Sequence, residues 1–155
     1  MSRVVVIGVG NAMRRDDAAG LAVAERVRAL VPAGVAVRVC EHEPSRLVDV
    51  FGDADVAYVV DAVRTGAPAG TVHRFDASAG AIPSVDARSS THALGIGDAL
   101  ELARALGRLP RRTVVFGIEG EEFVAGEGMT PPVEAGVART SERVLQEVAE
   151  CTSEQ

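Results

Sequence analysis

Short runs of β-branched and apolar residues alternate with longer stretches of helical spacing, and this alternation constrains the chain more than any other feature. The apolar runs are Arg3 to Ile7, Val35 to Cys40, Val56 to Val60, Thr71 to Phe75 and Thr113 to Ile118. Helices are predicted between or after them, over Asp17 to Leu30, Pro44 to Phe51, His92 to Leu106 and Pro131 to Val148. Strands that alternate with helices build an α/β domain around a mostly parallel sheet, because parallel neighbours need a crossover connection. The third run is apolar throughout, which suits a central strand covered on both faces. The fourth run alternates, which places it at an edge, where it is free to run antiparallel. Residues 1 to 150 are expected to form one domain, with 151 to 155 as a frayed tail.

The 155 residues leave room for a real core. Aromatic residues make up only 3% of the chain, so that core must be built from Val, Ala and Leu, and platforms for stacking single-stranded nucleic acid are not expected. A net charge of −6 argues against sequence-independent binding to nucleic acid. No stretch approaches the ~18 apolar residues of a membrane span. The N-terminal run is too short for a signal peptide. Cys40 and Cys151 stand too far apart in sequence to suggest a disulfide framework or a zinc pair. They read as reduced thiols of a cytoplasmic protein.

In open α/β sheets ligands sit beyond the carboxyl ends of the strands. Three segments lead there: Gly8 to Asp17, Asp61, and the loop from Ala77 to His92. Gly8 and Gly10 are expected to allow a sharp turn. A dinucleotide site would add a third glycine and a short step into the helix. Here Met13, Arg14, Arg15, Asp16 and Asp17 follow instead, and two carboxylates at a helix's positive end would repel a pyrophosphate. Asp16 reads as a helix cap. Asp17 reads equally as a cap or as a site residue. Asp61 ends an apolar run and needs a partner or a cleft. Ser89, Ser90 and Thr91 are natural N-caps, which would place His92 in a first helical turn that favours a neutral ring. Glu119 follows the fifth run and could face the same cleft. His42, between Glu41 and Glu43, reads as part of a solvated charge run, and His73 as an edge-strand residue. Asp17, Asp61 and His92 thus leave three strand exits on one edge. Two carboxylates and an imidazole suit a borderline divalent cation such as Ni²⁺ or Zn²⁺.

The pieces "GVGNAMRRDDAAG" (8 to 20), "VVDAV" (59 to 63), "GAPAGTVHRF" (66 to 75), "STHALGIGDAL" (90 to 100) and "GIEGEEFVAGEGMTPPVEAGV" (117 to 137) resemble the maturation endopeptidases of nickel–iron hydrogenases. The resemblance implies a three-layer α/β/α sandwich around a twisted five-stranded sheet. It implies an enzyme that removes a C-terminal extension from a hydrogenase large-subunit precursor, or another metalloprotein precursor, once nickel is in place. The family's metal-binding positions fall on Asp17, Asp61 and His92. The nickel would come with the precursor, so the isolated enzyme is expected to lack it. The chain departs from the family after the second run, where a glycine-rich segment that helps select the partner is typical. Here it reads "CEHEPSRLVDVF". Two other readings stay open from sequence: a Rossmann-type oxidoreductase, with Glu41 or Glu43 on a ribose, and a non-catalytic accessory protein of the same fold.

Overall fold

The computed structural model describes residues 2–82 and 95–153. Five strands form one sheet: β1 (Val4–Gly10), β2 (Ala36–Glu41), β3 (Val56–Val63), β4 (Val72–Asp76) and β5 (Arg112–Glu119). Their spatial order is β2-β1-β3-β5-β4. All neighbours are parallel except β4, the edge strand that runs antiparallel to β5. β3 is central, as its uninterrupted apolar run requires, but it extends to Val63. Asp61 therefore lies inside the strand, opposite Gly117, rather than at its end.

Alternate residues of each strand feed two cores. Val4, Val6, Tyr58, Val60, Phe116 and Ile118 face one way, onto α1 (Ala19–Arg28) and α4 (Pro131–Ser153). Val5, Ile7, Val9, Ala57, Val59 and Val115 face the other, onto α2 (Leu47–Phe51) and α3 (Ile96–Ala105). The result is the three-layer sandwich. The buried side of α4 (Val133, Val137, Thr140, Val144, Val148 and Cys151) keeps helical spacing to its last turn. Burial of Cys151 carries the helix to Ser153, so the expected fraying does not start at residue 151. Both cysteines are free and buried. No helix among the described residues is long and apolar enough to cross a membrane.

Arginines anchor the margins. Arg74 of β4 makes a two-pronged contact to Glu147 of α4, at 2.9 and 2.7 Å. On the opposite edge, Arg28 donates to the Val37 carbonyl of β2 at 3.0 Å, and Arg38 donates to the Val50 carbonyl at 2.8 Å.

The contact that sets the position of α1 is backbone against backbone. A Cβ on Gly20 would stand 2.2 Å from the Val60 carbonyl oxygen and 2.4 Å from that of Val9. A Cβ on Gly8 would meet the Gly20 carbonyl at 2.3 Å. Gly8 is thus an extended strand residue kept small by the helix that lies on it. The expected sharp turn is not its role.

A Gly20→Ala substitution is expected to destabilise the fold by about 3 kcal/mol or more, because no flexible side chain is available to yield. Gly97→Ala is the control. Among the described residues its Cβ would meet only Ile82, at 3.9 Å, and it should stabilise α3 by about 0.5–1 kcal/mol. Urea denaturation of the two variants measures the contrast.

Candidate functional site

The segment after β1 folds back on itself. Asn11 donates its backbone N–H to the Asp17 carbonyl at 3.2 Å, and Asp17 donates to the Arg14 carbonyl at 3.0 Å. A Cβ on Gly10 would stand 2.1 Å from that same Asp17 oxygen. Glycine at position 10 is what lets Asp17 rest against the end of β1. A single 3-10 turn, Arg15–Ala18, precedes α1, so the helix opens at Ala19 rather than at Asp17.

The two aspartates have different fates. Asp16 is fully buried and does not cap the helix. Its carboxylate accepts backbone N–H bonds from Glu121 and Glu122, both at 2.9 Å, and from Thr130 at 2.7 Å. The Thr130 hydroxyl lies against both oxygens, at 3.1 and 3.0 Å. Burial alone would raise its pKa, but these donors hold it below the ordinary value. Asp16 thereby fastens residues 121–130 beneath the glycine turn. Further bonds run from Asp16 N–H to Glu122, Arg15 N–H to Gly126 and Gly126 N–H to Met13. Arg15 is held in left-handed backbone, at φ 46°, with its Nε on the Gly128 carbonyl.

Asp17 and Asp61 show the opposite behaviour. Desolvation pushes Asp17 up to about 6 from 3.8, against the opposing charges of Arg14 and His42. Asp61 is pushed well above its ordinary value, first by desolvation and then by the charge of Asp17. The N–H of Ala62, at 2.8 Å, works the other way and favours its ionised form. The charge of Asp17 thus opposes ionisation of Asp61, and carboxylate oxygens are of the donor type that divalent ions accept. Among the described residues no three His, Cys, Asp or Glu side chains are gathered closely enough to hold one. His92, the expected third donor, lies outside the described residues. α3 opens at Ile96 with Gly95 in the N-cap position, so it does not begin at His92.

Glu119 and His42 depart from what the sequence suggests. Glu119 does not face the cleft. It is buried and accepts bonds from Thr65, through both amide and hydroxyl, from Gly66, and from the His73 ring at 3.0 Å. Burial alone would raise its pKa, but these bonds keep it below its ordinary value. It pins the loop that leaves β3, and His73 is part of that clamp. His42 is not merely one charge in a run. Its backbone is left-handed, at φ 68°, and its N–H donates to the Gly10 carbonyl at 3.1 Å. Nothing in the sequence signals that backbone handedness. Cys40 is core, as expected, its thiol pushed up to about 11 by desolvation.

The model of the hydrogenase maturation protease family matches residues 42–147. The chain is 28% identical over 152 residues to the hydrogenase 2 maturation protease of Escherichia coli (strain K12), covering 96% of this chain and 92% of that protein. In structure it is similar to the hydrogenase maturating endopeptidase HybD from E. coli, with a TM-score of 0.80 at 26% identity over 96% of this chain and 93% of that one. It is also similar to the [NiFe] hydrogenase maturation protease HybD from Thermococcus kodakarensis, with a TM-score of 0.75 at 25% identity over 94% of this chain and 99% of that one. These likenesses lend no support to a dinucleotide-binding oxidoreductase. The acidic 3-10 turn, in place of a free helix N-terminus, disfavours it as well.

The raised carboxylates carry a signed consequence for stability. Asp17 binds its proton more tightly in the folded state, at about 6 against 3.8, and Asp61 shifts the same way. Stability of the ion-free protein should therefore rise as pH falls from about 7.5 toward 5. Asp16 and Glu119 are shifted down, so below about pH 4 their contribution is lost and stability falls. Asp17→Asn should raise the melting temperature at pH 7.5 and flatten the upper limb. Asp16→Ala should cost about 3 kcal/mol, because it removes the acceptor of three N–H groups, one of them, that of Thr130, buried. Calorimetric melting between pH 3.5 and 8 checks both.

Proposed function

Because the chain belongs to the hydrogenase maturation protease family and is therefore a peptidase, we propose that it removes a C-terminal extension from a nickel-containing hydrogenase large-subunit precursor, with Asp17, Asp61 and His92 receiving the nickel that the precursor carries. The observation behind this reading is the pair Asp17 and Asp61 near the carboxyl edge of the sheet, each disfavoured as an anion by desolvation. In this reading the nickel is part of the substrate. It registers that the precursor has been loaded, and it brings Lewis acidity to the scissile carbonyl or to a water beside it. Hydrolysis adds water across one peptide bond, leaving a carboxylate on the mature subunit and an amine on the released extension. The reaction is assigned to the cytosol, where the precursor would be met before assembly.

The loaded precursor incubated with the purified protein should lose a C-terminal peptide, seen as a mass decrease by mass spectrometry, while the nickel-free precursor should stay intact. Asp17→Asn, Asp61→Asn and His92→Ala should each slow processing by at least about 100-fold with the fold preserved. Processing at the normal rate by all three variants would overturn the assignment.

A further inference from the structure

Arg64 is the first residue after β3, three positions beyond Asp61. Its Cζ lies 4.6 Å from the centre of the Phe123 ring, and among the described residues its guanidinium has neither a hydrogen bond nor an ion pair. Other arginines of the chain are committed. Arg15, Arg28, Arg38 and Arg139 donate to backbone carbonyls, and Arg74 grips Glu147. Glu121 and Glu122 are exposed on the segment that carries Phe123, yet among the described ion pairs neither is joined to Arg64.

The cation is held in place from both sides. The Val63 carbonyl accepts the Gly120 N–H at 3.0 Å, and the Thr65 N–H donates to the Glu119 carboxylate at 2.7 Å. The backbone on each flank of Arg64 is therefore tied to the end of β5. Its platform is equally fixed. Phe123 is buried, and bare Gly120 makes room for it, since a Cβ there would stand 2.6 Å from the ring. The residues between them, Glu121 and Glu122, donate their N–H groups to Asp16. A cation–π contact steadies a guanidinium but offers no acceptor to its five N–H donors. Because the arginine is already ordered, an incoming acceptor meets little further loss of side-chain freedom.

A guanidinium fork matches a carboxylate, which it can bind through two parallel hydrogen bonds. The substrate of a peptidase offers that group in only two ways, as an acidic side chain or as a chain terminus. Three residues of strand separate Arg64 from Asp61, or about 10 Å at roughly 3.3 Å per residue, which an extended peptide also spans in three residues. The net charge of −6 opposes acidic peptides in general, so a local cation can discriminate among them. We propose that Arg64 is a specificity-determining residue that binds a carboxylate of the precursor about three residues from the bond that is cut. This rests on the reading of Asp17 and Asp61 as the place of cleavage.

The test uses the full-length protein and the nickel-loaded large-subunit precursor, with Arg64→Met and Arg64→Lys checked for an unchanged fold by circular dichroism. Met keeps an apolar stem over Phe123 without the charge, and Lys keeps the charge without the fork. Arg64→Met should raise KM at least about tenfold with kcat altered by less than about twofold, and Arg64→Lys should fall between. Two sets of altered precursor locate the carboxylate. One carries amide replacements of acidic residues within about four positions of the cut, and the other ends in a C-terminal amide. One set should lose as much with the unsubstituted enzyme as Arg64→Met does with the natural precursor, and should lose nothing more with Arg64→Met. An unchanged KM for Arg64→Met, or additive losses in both sets, overturns the proposal. Dissociation constants for the same pairs, read by biolayer interferometry, are scored apart from cleavage. Binding that depends on Arg64 and on the same carboxylate, without cleavage, would sink the peptidase substrate assigned above and leave this inference standing. Cleavage with Arg64-independent binding would do the reverse, and neither binding nor cleavage would sink both.

Discussion

Helix α1 lies so close to the sheet that Gly20 meets the carbonyl oxygens of Val9 and Val60 with no side chain between them. The geometry of the carboxyl edge depends on that approach. A helix seated on side chains would stand higher, and the turn feeding it would swing away from β1. With Gly8, Gly10 and Gly20 all bare, the turn closes tightly enough for Asp17 to lie against the strand end. Asp61 then feels the charge of Asp17. The glycines that superficially suggest a nucleotide loop serve to bring a carboxylate in. Desolvation at this edge leaves both acids disfavoured as anions.

Asp16 and Asp17 are adjacent in sequence and opposite in physics. Asp16 lies among amide donors that favour its anion, and it acts as the knot joining residues 13–16 to residues 121–130. Asp17 is governed by desolvation instead, and its anion is disfavoured. The chain needs both. Without the knot, the turn that presents Asp17 would be an ordinary surface loop free to sample many conformations. Stability given up at Asp17 and Asp61 is offset partly by the satisfied carboxylates of Asp16 and Glu119 nearby.

The sheet is legible in the sequence because strand and helix signals have different periods, and because an uninterrupted apolar run can only be central. That Asp61 belongs to this central run is legible for the same reason, but the continuation of β3 past it to Val63 is not. Nor is the partner of a buried carboxylate. Asp16 reads as a helix cap from its neighbours, yet the amides it binds lie more than a hundred residues further along the chain. Glu119 looks available for chemistry because nothing in sequence reveals that Thr65 and His73 fold onto it. The end of α4 is legible after all, since Val144, Val148 and Cys151 continue one helical stripe, and periodicity outweighs terminal position there. His42 escapes a reading by charge because charge composition says nothing about backbone handedness.

The open margin of β2 has its own consequence. Arg28 reaches over from α1 and occupies the Val37 carbonyl, while Arg38 ties itself to the Val50 carbonyl. An incoming strand from another molecule would find one of its required acceptors already taken and a guanidinium in the way. The lateral border of the sheet is thereby made a poor template for recruiting further copies into an extended ribbon.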